Sequence, residues 1–267
     1  VLSSNGHAVG TYGRTNQILA TGSGNITLTG TNNDSGTGIY LANTTVGGNS
    51  TGTGNITLTG TSAGGNGIEL DGGDTLATTE AGTMTITGTT SANMNGLSLG
   101  GNGDNLFSTE DGAIVVNGTT TGSAGYGIWA QGNNAFNSVN GAISLTGIGA
   151  TQALGFQNGS GALNVGWDGN AATLGTTGDV SILGQDDGTG GGIDLSHVVI
   201  KVNDSFVYIG STGKGLSGGF TLPNGSIADG SIERGVQLGD LGTGPVIVDQ
   251  PIGNGTYQPT TQTCPGG

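Results

Sequence analysis

Four residues in one stretch, Asp186, Asp187, His197 and Lys201, carry side chains able to act on a glycosidic bond. Cleaving such a bond needs two carboxylates across it, one as acid and one as base or nucleophile. In a fold built of stacked layers, such groups converge from successive layers. All four residues here fall within the length of about half a layer, as the period described below shows. Asp186-Asp187-Gly188 reads as a turn, because Asp and Gly suit the backbone of tight bends. The spacing therefore argues against catalysis, and the chain reads as a non-enzyme.

Two glycine-rich stretches hold further carboxylates. Gly64-Gly65-Asn66-Gly67 precedes Asp71 and Asp74, and Gly100-Gly101-Asn102-Gly103 precedes Asp104. Ca2+ takes six to eight oxygen ligands, which turns of this kind can supply. Calcium-binding glycine–aspartate repeats recur every nine residues, and these do not, so turns are the simpler reading. Calcium is the one cofactor candidate. Tyr40, Trp129 and Trp167 are candidate surface contacts, since exposed aromatic rings stack on sugars. Tyr257 and Cys264 lie in a proline-containing tail and are candidate assembly points. Cys264 is the only cysteine, which excludes an internal disulfide. Asn-X-Ser/Thr triplets begin at Asn25, Asn55 and Asn117 among others, as expected by chance in a chain this rich in Asn and Thr.

The scaffold behind these residues is repetitive. Gly24-Asn25-Ile26-Thr27-Leu28-Thr29-Gly30-Thr31 recurs unchanged from Gly54 to Thr61. Looser copies begin at Gly82, Gly112, Gly141 and Gly178. A period of about 29 residues marks one structural unit laid down repeatedly. Within it, Ile26 and Leu28 alternate with Thr27 and Thr29, the period of a half-buried strand. A second element begins Gly38-Ile39-Tyr40-Leu41 and returns at Gly67, Gly96, Gly127, Gly155 and Gly192. A third is centred on Val46, Leu76, Leu106, Phe136 and Leu174. Three short strands per turn predict an all-β chain, a right-handed parallel β-helix. One rung cannot offset its own ordering entropy and needs neighbours above and below.

The division follows the repeats. Residues 1–23 read as an N-terminal cap or junction, and residues 24–195 as the repeat region. The fifth rung reads as longer, by a loop near 157–172. Residues 196–250 read as divergent rungs and a cap, and 251–267 as an extended tail. All five prolines lie beyond Thr221, where a missing ladder donor suits an edge or a tail.

Composition restricts the partners. Of 267 residues 60 are Gly and 8% are charged, with a formal net charge of -14. The four basic residues, Arg14, Lys201, Lys214 and Arg234, are too few and too scattered for a phosphate-binding face. Nucleic acid and insertion into a membrane are therefore not expected. The Gly-Asn-Ile-Thr-Leu-Thr-Gly-Thr repeat followed by Gly-Ile-X-Leu resembles the repeats of filamentous-haemagglutinin-like and autotransporter-type bacterial adhesins. That resemblance, over residues 24–195, implies a secreted protein of the bacterial cell surface. It implies adhesion or fibre building, with copies of itself, neighbouring β-helical segments, glycans or other cells as partners. It carries no functional residue across. A carbohydrate-binding or polysaccharide-degrading module, as in phage tailspikes, is the alternative. The order Asp, Asp, His, Lys is similar to that of polygalacturonase-type β-helix enzymes, without their flanking motifs.

Overall fold

The computed structural model describes residues 6–48, 54–100, 104–156, 161–170, 175–186, 191–194, 197–202, 205, 207–212, 216–217 and 236–240. Strands β1 (Val9–Gly10), β2 (Asn16–Ala20) and β3 (Ile26–Asn32) form the first coil. The second holds β4 (Ile39–Leu41), β5 (Thr44–Gly48) and β6 (Ile56–Ser62), and the third β7 (Ile68–Asp71), β8 (Thr75–Ala77) and β9 (Met84–Thr90). The fourth holds β10 (Leu97–Gly100), β11 (Asn105–Thr109) and β12 (Ile114–Thr120). The fifth holds β13 (Tyr126–Ala130), β14 (Asn134–Ser138) and β15 (Ile143–Gly149). Then come β16 (Gln152–Phe156), β17 (Leu163–Val165) and β18 (Val180–Asp186), and β19 (Gly191–Asp194), β20 (Val198–Ile200) and β21 (Val207–Thr212). β22 (Leu216–Ser217) and β23 (Val236–Asp240) follow.

Every third strand pairs in parallel, giving sheet A from β1 to β22, sheet B from β2 to β20 and sheet C from β3 to β23. The chain is thus an all-β solenoid with about 29 residues per turn. Parallel pairing without helices is possible because each strand reaches its partner by travelling once round the coil.

The core is a set of vertical columns. Ile39, Ile68, Leu97, Ile128, Leu154 and Ile193 line up inside sheet A, each fully buried. Sheet C contributes Ile26, Ile56, Met84, Ile114, Ile143, Val180 and Val207. Sheet B contributes Val46, Leu76, Phe107, Phe136, Val165 and Ile200. Each such side chain adds roughly 1.5–3 kcal/mol of burial. Sheets C and A approach so closely that a Cβ on Gly60 would lie 2.2 Å from the Gly67 carbonyl oxygen. The repeated glycine of GNITLTGT is therefore a steric requirement of the fold.

Corners are closed by side chains that hold the backbone of adjacent coils. Asn25 Oδ1 accepts the Asn55 amide and Asn55 Oδ1 the Thr83 amide, both at 2.8 Å. Inward hydroxyls do the same at the other bends: Ser62 Oγ donates to Gly36 O and Ser138 Oγ to Gly112 O. The abundance of Asn, Ser and Thr thus satisfies backbone groups that tight bends would otherwise leave orphaned.

Three details differ from the sequence reading. The third element of the fourth coil points Phe107 inward, with Leu106 on the outside. In the sixth coil Ala153 takes the place of the repeated glycine, so Gly155, and not Gln157, stands opposite Trp129. Its third strand is Leu163–Val165, inside the stretch read as a loop, and it pairs with β14. The extra residues therefore follow that strand, between Val165 and Val180. Leu174 lies outside the described residues.

Candidate functional site

Three of the four hydrolytic candidates, Asp186, His197 and Lys201, lie among the described residues, at separate corners. Asp186 ends β18, where sheet C turns toward sheet A, and Asp187 lies outside the described residues. His197 precedes β20 and Lys201 follows it, at opposite ends of a sheet B strand. Four residues of extended chain separate them by about 13 Å. His197 sets Nδ1 3.2 Å from Gly161 O and its ring 5.9 Å from Phe156. The Lys201 ammonium lies 5.1 Å from the centre of the Trp167 ring, a cation–π contact. The three stand at successive corners, from the end of the sixth coil into the seventh.

Tyr40 and Trp129 share the outer face of sheet A. The register runs Tyr40, Glu69, Ser98, Trp129, so three coils, about 14 Å, separate the rings. Tyr40 stacks on His7 and Tyr12, each 4.9 Å away, and donates to Asp71 Oδ2 at 2.7 Å. Trp129 leans on Tyr126, with ring centres 4.5 Å apart. Tyr126, which sequence reasoning did not single out, fits because Gly155 has no Cβ: one there would sit 2.4 Å from the Tyr126 ring. Burial raises the Tyr40 phenol most, with Asp71 and Glu69 adding to it. Tyr12 is raised by burial and then by Glu69, and Tyr126 by burial and then by Asp194. All three are expected to ionise later than free tyrosine. Alkaline titration of phenolate absorbance checks this, and Tyr40→Phe should remove the most resistant step.

The outer face of sheet B bears a hollow of about 500 Å3. Its floor is Leu106 and Ala135, which stand beside Asn164 in one outward row of β11, β14 and β17. Asp104 and Asn133 form the neighbouring row at the corner, and Asp168 and Gly169 close it from the insertion after β17. Asp104 Oδ1 accepts the Asn133 amide at 3.3 Å, and Asn133 Oδ1 accepts the Ala162 amide at 3.2 Å. Asp168 Oδ1 accepts the Asn170 amide at 2.8 Å, fixing a bend of the insertion. Trp167, expected as a surface contact, instead holds this loop down over Lys201, with its indole nitrogen buried. Asn164 is 8% exposed and lines the hollow. Asp104 was visible in the sequence as a turn acid. Asn133 and Asn164 were not, because they join it only through the register.

The other calcium candidates part company. Asp71 is on the outside with Tyr40, and Asp74 points into the solenoid at 0% exposure. Among the described residues no three His, Cys, Asp or Glu side chains group as a metal would require. Tyr257 and Cys264 lie outside the described residues. No helix among those residues is long and apolar enough to cross a membrane. Compared with protein-family models, with curated proteins and with solved structures, the chain matches none.

Proposed function

We propose that this chain is a structural segment of an extracellular bacterial fibre or adhesive matrix, a rigid rod extended by pairing with a second β-helical coil. The observation that carries the reading is the first coil. Among the described residues its β3 has a strand partner on one edge only, β6. Beside it Val9, Ile18 and Leu28 line an apolar hollow of about 280 Å3, and Leu19 is 47% exposed. An unpaired edge above an open core is a template for another strand. At the far end of the described part of sheet C, β23 pairs in parallel with β21, Val236 in register with Val207 and Leu238 with Ile209. Its register is thus the one a further coil against β3 would need. The style of the repeats supports export to the cell surface, and the regular outer columns supply surface for contacts with neighbouring copies or cells.

The alternation of the ladder gives the test. The Ile26 amide bonds Asn55 O, so the Thr27 and Thr29 amides face the open edge. Thr27→Pro removes one edge donor and leaves the β3–β6 bonds in place. Electron microscopy and sedimentation of the unmodified chain are expected to show concentration-dependent fibres. Thr27→Pro should shorten or abolish them with an unchanged far-UV circular dichroism spectrum. A chain that stays monomeric at every concentration would sink the proposal.

A further inference from the structure

We infer that the hollow on sheet B is a binding site for a neutral or amino-substituted saccharide. It does not depend on end-to-end assembly. The inference stands on convergence. Side chains from three consecutive coils and from the irregular insertion meet in one place, and that insertion walls it. A volume of about 500 Å3 falls within the range of small-ligand pockets, about 300–1,000 Å3.

The chemistry of the lining selects the ligand. Asn164 carries a donor and an acceptor, is only 8% exposed and lines the hollow. Its amide opens onto the hollow, where a hydroxyl-bearing ligand can donate to the oxygen and accept from the NH2 group. Asp104 and Asp168 each use one oxygen on a backbone amide and keep the other. Those oxygens accept from hydroxyl or ammonium groups and repel acidic sugars. Asn133 spends Oδ1 on Ala162 and keeps its NH2 group. Leu106 and Ala135 offer an apolar floor for the C–H face of a sugar ring. A bare cation fits less well: Ca2+ wants six to eight oxygens, and the amide donors here have nothing to give it.

The experiment uses the full chain on a printed array of neutral, amino-substituted and acidic oligosaccharides, followed by calorimetry with the best-retained glycan. Neutral or amino glycans should be retained and acidic ones not. Asp168→Ala, at an exposed loop position, should weaken affinity ten-fold or more with an unchanged melting temperature. Asn164→Leu should do the same by blocking the hollow. Thr27→Pro should leave glycan affinity intact, which separates this site from the assembly edge. Retention of no glycan, preference for acidic ones, unchanged affinity in Asp168→Ala, or binding of Ca2+ alone would each overturn the assignment.

Discussion

Phe136→Ala is expected to cost about 3–5 kcal/mol of stability, the range for removing a buried ring that neighbours cannot collapse onto. Phe136 is fully buried and its ring stacks on Phe107 with centres 4.3 Å apart and planes 16° from parallel. That pair adds about 0.5–1.5 kcal/mol beyond its buried area. Val165 lies above it in the same column. These contacts are to adjacent coils, and in a solenoid stability is the sum of such neighbour terms. The loss should therefore be local first. Hydrogen exchange should accelerate in β11, β14 and β17 before the first coil responds, and denaturant unfolding should broaden. Phe136→Leu, which leaves a smaller void than alanine, should cost clearly less than Phe136→Ala. An alanine variant within 1 kcal/mol of the parent would mean that the ring pair does not carry the column.

The columns of sheet C were legible in the sequence because every copy puts apolar residues at the positions of Ile26 and Leu28, even where Val115 interrupts the outward Thr column. Phe107 was misread because the strand begins Asn105-Leu106-Phe107, with two apolar residues side by side. Only the inward-facing Asn105 sets the phase, and an Asn in a core column is not a sequence signal for burial. The sixth coil was misaligned because Ala153 replaces the glycine used as its marker. The hollow was the hardest to see. Asp104, Asn133 and Asn164 lie 29 to 31 positions apart, and nothing but the register and the placement of the insertion makes them neighbours.

The same inward polar column sets the pH response. Thr44, Asp74, Asn105 and Asn134 stack inside the corner between sheets A and B, each at most 1% exposed. The Thr44 amide donates to Asp74 Oδ1 at 2.7 Å, and the Asp74 amide donates to Asn105 Oδ1 at 3.0 Å. Asn105 Nδ2 donates to Asn134 Oδ1 at 2.8 Å, and Asn134 Nδ2 to Gln131 O at 3.0 Å. Every member but Asp74 is neutral, and Asp74 Oδ2 has no hydrogen-bond partner.

Burial pushes the Asp74 carboxyl up from 3.8 to about 6, with the Asp71 carboxylate adding to it and the Thr44 and Asp71 amides opposing. The native state thus holds this proton more tightly than the unfolded chain. The stability it contributes is complete below pH 4 and is lost as the pH rises through about 6. About two pKa units at 1.36 kcal/mol each amount to about 3 kcal/mol. Asp74→Asn, a neutral isostere, should recover that amount at pH 7 and make little difference at pH 4. The difference between the two proteins, measured by urea unfolding across that window, isolates Asp74 from the other carboxylates. Equal pH profiles would mean that Asp74 finds a charged-state partner and that the column tolerates an anion. A shallower slope in the variant would place the acid-stabilising proton inside the ladder.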